Sequence, residues 1–145
     1  MADVTRPPID KVGLCVLRGG CVLLARSRGA RAFQIPGGKV EAEDADDVAA
    51  LARECREELG VEVAPETAAL LGRFSAEAAG KPGLIVTVKL YRADFAGEPS
   101  PCAEIEELRW QPLDSPAEDA SDVVRLRIIP FLRALGAGGR RGSTP

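Results

Sequence analysis

The chain has no histidine. That removes His-based nucleophilic triads and His-ligated zinc from consideration. Proton transfer must then fall to carboxylates, lysine, tyrosine or a water held by a metal. No C-x-x-C pair occurs among Cys15, Cys21, Cys55 and Cys102. They read as small buried thiols in a reducing compartment. Aromatics are scarce: Phe33, Phe74, Tyr91, Phe95, Trp110 and Phe131 are the whole set. Core packing is the commoner use for such rings, and stacking on a base is the rarer one. Residues 1–8 lack an apolar signal core, and no apolar run approaches a bilayer span. The expected location is cytoplasmic, with no membrane partner. Positive charge is not in excess, since the formal net charge is −3. Sequence-independent nucleic-acid binding, which relies on phosphate neutralisation, is therefore not expected.

What is present suits one globular domain. The chain has 145 residues and is 46% apolar, enough for a single core. Residues 10–135 read as that domain, 1–9 as a loose polar lead-in and 136–145 as a disordered tail. No internal repeat or domain linker stands out.

The richest stretch runs from Gly37 to Val61, GGKVEAEDADDVAALARECREELGV. Pro36-Gly37-Gly38 is loop chemistry that lets backbone come close to a bound ion. A helix follows, expected to start near Asp44 with Asp46 and Asp47 in its first turn, where acids suit the helix dipole. Val48, Leu51, Ala52, Cys55 and Leu59 recur at helical spacing as a buried stripe. Glu54, Glu57 and Glu58 fall at i, i+3 and i+4 and share a face mostly off that stripe. Charge runs are usually solvated faces. A glycine loop delivering three clustered acids is rarer, and points to a divalent metal. Gly60 is suited to end the helix.

This stretch resembles the box of the Nudix hydrolases, the MutT-like family. Its second half matches as Arg53-Glu54-Cys55-Arg56-Glu57-Glu58-Leu59-Gly60-Val61, with Cys55 in an aliphatic slot. The first half departs. Five residues separate Gly38 from Asp44, which stands where the box has glutamate, and eight residues rather than seven separate Asp44 from Arg53. Counting from Gly37 puts Glu43 in the acid slot instead. The choice between Glu43 and Asp44 is open at this level.

The resemblance implies an α+β fold, a Nudix-type α/β/α sandwich with a mixed β-sheet and a catalytic loop-helix. It implies Mg2+ or Mn2+ held by Glu54, Glu57, Glu58 and the Gly38 carbonyl, with Arg53 orienting the acids. Glu57 and Glu58 are the first choices as ligands; Glu54 serves as ligand or base. A distal acid completes such sites; Glu104 is the candidate, with Glu106 and Glu107 as alternates. The implied activity is hydrolysis of the pyrophosphate bond in a nucleoside diphosphate linked to another moiety. A nucleoside triphosphate, ordinary or oxidised, comes first. ADP-ribose or another nucleoside diphosphate derivative is the alternative, as is a nucleotide-binding regulatory domain with little activity. Arg26, Arg28, Arg31 and Lys39 flank the box and are candidates to hold a polyphosphate. Phe33 is a candidate to stack the base. A homodimer is left open.

Around the box, Lys11–Leu17 and Cys21–Arg26 read as a hairpin turning at Gly19-Gly20. Phe33–Ile35, Ala69–Phe74, Leu84–Phe95 and Ile105–Gln111 read as strands. Ser121–Leu135 reads as a second helix, capped by Ser121 or Asp122 and kinked or divided by Pro130.

Overall fold

A computed structural model describes residues 6–78 and 80–139. Strand β1 (Ile9–Leu14) is followed by the two-residue β2 (Leu17–Arg18), β3 (Cys21–Ser27) and β4 (Gly37–Lys39). Helix α1 (Asp47–Leu59) comes next, then β5 (Glu62–Val63), a 3-10 turn (Pro65–Thr67), β6 (Ala69–Glu77), β7 (Ile85–Arg92), β8 (Phe95–Ala96) and β9 (Ile105–Pro112). A π-helical segment (Val123–Ile128) runs into α2 (Ile129–Gly139).

The larger sheet has the order β4-β1-β7-β6, with β1 antiparallel to β4 and parallel to β7. A second sheet has the order β2-β3-β9, and β5 pairs with β8. One apolar layer joins Val12, Leu14, Leu23, Leu51, Cys55 and Leu59, so α1 packs on one side. The other joins Val22, Leu24, Leu90, Val124, Ile128 and Leu132, so the C-terminal helix covers the opposite side. Consecutive residues of β3 feed opposite layers, as the two-residue period of a strand requires. The result is the expected mixed-sheet α/β/α sandwich.

The Lys11–Leu17 run is not one strand of a hairpin. It breaks at Cys15-Val16, where the chain leaves one sheet for the other. Only Leu17 and Arg18 pair back on Val22 and Cys21. Gly19 and Gly20, at φ +59° and +77°, supply the left-handed pair that a two-residue hairpin loop needs. The register of β1 is set by β4 and β7, which lie far away in sequence. Phe33 and Gln34 make isolated bridges, to Ala120 and Ala25, instead of a strand.

Helix α1 begins at Asp47, later than Asp44. Asp46 is its cap and accepts a hydrogen bond from the Ala49 N–H at 2.8 Å. Gly60 closes it in the left-handed region, at φ +69°, donating to the Arg56 carbonyl at 3.1 Å. Pro130 does not divide the second helix. The turn before it is wide, with the Ile129 N–H reaching Val124 O, and the proline ring enters where that wider turn makes room. Neither Ser121 nor Asp122 caps this helix by its side chain; Asp122 instead accepts from Arg125 at 3.0 Å. α2 carries through Gly139, into the stretch expected from residue 136 to be a disordered tail; residues 140–145 lie outside the described residues. At the other end β1 begins at Ile9, inside the expected lead-in. Among the described residues no helix is long and apolar enough to cross a membrane.

Candidate metal centre and adjoining cavity

Two glycines fix the floor of the site. Gly37 pairs with Gly13, and its φ of +150° lies where side chains are rarely tolerated. A Cβ there would come within 2.0 Å of the Val12 carbonyl oxygen. The close approach aims the Gly37 N–H at Glu58, whose Oε1 accepts it at 3.1 Å. Gly38 lies under Glu54, and a Cβ on it would fall 2.4 Å from that carboxyl carbon. The glycine pair thus lets two carboxylates of α1 rest directly on β4.

The three acids do not share one environment. Glu54 and Glu58, one helical turn apart, are buried at 9% and 7% exposure. The sequence reading had set them mostly off the buried stripe; they form its edge toward β4, with Ala50 buried beside Leu51, Cys55 and Leu59. Glu57 is exposed and touches Arg53 only at 3.5 Å. Burial, first, and the charges of Glu54 and Glu104 push the Glu58 carboxyl up to about 8, against the opposing Gly37 hydrogen bond. Burial likewise raises Glu54, with Arg53 opposing and Glu57 and Glu104 adding to the rise. Cys55, fully buried beneath them, is pushed up to about 12 by desolvation and behaves as an apolar core side chain.

Glu104, exposed on the loop before β9, adds its charge to Glu54 and Glu58. The Ser100 and Cys102 N–H groups donate to the Leu59 and Glu58 carbonyls, both at 3.0 Å, and so pin this loop on the end of α1. Ala103 then turns with a positive φ of 54°. Glu106 and Glu107, the alternates, are both held by Arg26 at 3.1 Å and are not part of the cluster.

Arg53 is the organising cation. Its Nε and Nη2 form a fork with both oxygens of Asp44, at 3.0 and 2.9 Å. It also reaches Glu54 at 3.3 Å and the Lys39 carbonyl at 3.2 Å. The guanidinium beside Asp44 holds that carboxyl below the usual carboxylate range. Asp44 is thus the loop acid that engages the helix, while Glu43 is exposed. The extra residue of the loop is taken up before the helix cap, so the register from Arg53 onward is undisturbed.

The candidate substrate residues separate into two groups. Arg26 is engaged by Glu106, Glu107 and the Ala30 carbonyl. Phe33 is 4% exposed, with the Arg109 guanidinium 4.0 Å above its ring and Arg26 at 5.8 Å. Its ring is therefore part of the core, with two guanidinium groups over it, and is too buried to stack on a base. Both are corrections to the expected substrate set. Arg28 and Lys39 are exposed. Arg31 lines a cavity of about 530 Å³ on the side of the larger sheet facing the C-terminal helix segment, together with Gln34, Val86, Asp119, Ser121 and Lys11. Ser121 Oγ is buried with no hydrogen-bond partner among the described residues. Lys11 was missed by sequence reasoning. A lone lysine opening a strand carries no signal until β4 is laid against it.

Among the described residues no three cysteine, aspartate or glutamate side chains already converge as a metal cage. The donor set nevertheless fits a hard dication. Glu54, Glu58 and Glu104 offer carboxylate oxygens whose like charges oppose one another, and for the buried Glu54 and Glu58 this costs free energy unless a cation enters.

The fold is thus a mixed-sheet sandwich with two buried acids seated on a glycine floor at one side and a cavity lined by charged residues of both signs on the other. A family model for the NUDIX domain matches residues 7–132, and the chain belongs to that family. Among curated proteins it is 33% identical over 112 residues to a CMP-5'-(N-acetyl-N-hydroxy-3-aminopropyl)phosphonate hydrolase of Streptomyces rubellomurinus. That match covers 75% of this chain and 53% of the relative, so the chain spans about half of the relative's length. Among solved structures, a MutT NUDIX hydrolase from Burkholderia pseudomallei is 30% identical, with TM-score 0.68, over 83% of this chain and 95% of its own. A MutT protein from Methanosarcina mazei Go1 has the same fold at 22% identity, with TM-score 0.71, over 90% of this chain and 96% of its own.

Proposed function

We propose that this chain is a divalent-metal-dependent pyrophosphohydrolase acting on a nucleoside diphosphate linked to another moiety, first among them a nucleoside triphosphate in ordinary or oxidised form. The observation that carries the reading is the pair of buried carboxylates, Glu54 and Glu58, set on Gly38 and Gly37, with Glu54 tied to the Arg53–Asp44 fork and the exposed Glu104 adding its charge beside them. Glu54, Glu57, Glu58 and Glu104 are the residues that would hold Mg2+ or Mn2+, which supplies neutralisation of phosphate charge and a lowered pKa for the attacking water.

The chain's own residues do the remaining work. Arg53 fixes Glu54 and Asp44 so that the acids cannot swing away when unliganded. Glu58, raised to about 8 chiefly by burial, suits proton acceptance near neutral pH, and Glu54, raised in the same direction, is the alternate. The 530 Å³ cavity is large enough for a nucleoside, and the free Ser121 hydroxyl and Gln34 amide give it hydrogen-bonding groups. Arg28 and Lys39 remain as phosphate-side cations, and Arg31 lines the cavity itself. A second reading, a nucleoside monophosphate joined to a phosphonate or another group, is favoured by the match to the Streptomyces phosphonate hydrolase. The free thiols agree with a cytoplasmic setting.

The test is turnover on a panel of nucleoside triphosphates, oxidised triphosphates, ADP-ribose and CMP-linked compounds, with Mg2+ or Mn2+ and identification of products. Release of a nucleoside monophosphate, lost in Glu58→Gln, is expected. Binding without turnover across the panel would instead indicate a regulatory domain. No response to either metal would end the metal reading.

A further inference from the structure

Lys11 and Lys39 are direct cross-strand partners in the antiparallel β1–β4 pair. Such partners point to the same side of a sheet, about 5 Å apart at their Cβ atoms, and like charges there are destabilising. Lys11 is half-buried, and lines the cavity rather than facing water. No hydrogen bond or ion pair among the described residues engages its ammonium. Next along the strand, Val12 packs in the layer with α1, so Lys11 belongs to the other face. Desolvation lowers its pKa most; Glu58 and Glu54 oppose this, and Lys39 adds to it. The ammonium lines the cavity and lies near enough to Glu54 and Glu58 to feel their charge.

We propose that Lys11, paired across the strands with Lys39, binds the phosphate attached directly to the nucleoside. This deepens the hydrolase reading and rests on it. Once a dication has taken up the charge of the acids, Lys11 and Lys39 are left facing each other with no anion. A phosphate there ends the repulsion and satisfies a half-buried donor. Its position also follows from the layout. The nucleoside belongs in the cavity and the scissile linkage belongs at the acids, so the phosphate joining them passes Lys11. The lysine would then act as a ruler that distinguishes nucleotides from nucleosides.

Calorimetry with CMP and GMP, against cytidine and guanosine, tests this with Mg2+ present. Lys11→Met should weaken monophosphate binding by about tenfold to a hundredfold, leave nucleoside binding unchanged and leave the unliganded melting temperature unchanged or raised. Lys11→Arg should recover part of the loss, and Lys39→Met, at an exposed position, should move binding in the same direction if Lys11→Met fails to fold. In turnover, Lys11→Met should raise KM with kcat little altered. The proposal is overturned if wild type binds neither monophosphate more tightly than its nucleoside. It is equally overturned if Lys11→Met weakens both ligands alike, or changes Mn2+ affinity alone. Wild-type turnover with an unaffected Lys11→Met sinks only the role of Lys11. Absence of wild-type turnover on every nucleotide sinks the hydrolase reading instead.

Discussion

Adding one methyl group at Gly38 should separate catalysis from folding. The new Cβ would lie 2.4 Å from both Cδ and Oε2 of Glu54 and 2.7 Å from Oε1. Ordinary contact needs about 3.5 Å, so the carboxyl must retreat by about 1 Å. It can do so, being the end of a flexible side chain, and Gly38 has no positive φ to forbid alanine. The effect on folding should stay within about 1 kcal/mol, because the gain from a stiffer unfolded chain offsets part of the disturbance. A misplacement of about 1 Å at a reacting centre can cost about a hundredfold in rate. Gly38→Ala is therefore expected to melt close to wild type and to lose about a hundredfold in kcat/KM. Gly37→Ala is the contrast. Its Cβ would meet the Val12 carbonyl oxygen at 2.0 Å and the Gly13 Cα at 2.8 Å, in a strained φ region. Both neighbours are backbone and cannot step aside, so about 4 kcal/mol or more of stability should go. Urea unfolding and initial rates on the same preparations decide it. Full activity in Gly38→Ala, or equal unfolding of both variants, would refute the argument that Gly38 exists to seat Glu54.

Asp44→Asn should lower kcat by about tenfold or more and Glu43→Gln should be near wild type, since only Asp44 makes the fork to Arg53; steady-state kinetics distinguishes them. Arg53→Lys should resemble Asp44→Asn, because an ammonium cannot form the two parallel bonds. For pH, Glu58 is an acid whose folded pKa is raised from 4.5 to about 8. The folded state then holds a proton that the unfolded state has lost, so metal-free stability should fall as pH rises through that window. Melting curves at pH 5 and pH 8 should show the fall, and Mn2+ should raise the melting temperature more at pH 8 than at pH 5. Leu51→Ala, at a fully buried position on α1, should cost about 3 kcal/mol in urea unfolding.

Much of this protein was legible in order and spacing. The run from Arg53 to Val61 carries its own helix, cap and acid positions, because these depend on residues three or four apart. The two-glycine turn before β3 and the Gly60 cap are local as well. What the spacing could not say was which acids would be buried. Glu54, Glu57 and Glu58 look alike on a helical face, yet β4 rests against two of them and leaves the third in water. Phe33 and Arg26 looked available because nothing near them in sequence covers them. Arg109, Glu106 and Glu107 arrive from β9, about eighty residues later.

The sequence by itself determined the helix, its charge and the glycine loop, since backbone propensity and short-range periodicity act within a few residues. Only the tertiary structure decided the partners: Asp44 for Arg53, Glu104 for Glu58, and Lys39 for Lys11. These contacts arise from sheet register and from loops closing over the end of α1, and both bring together groups that no local rule relates.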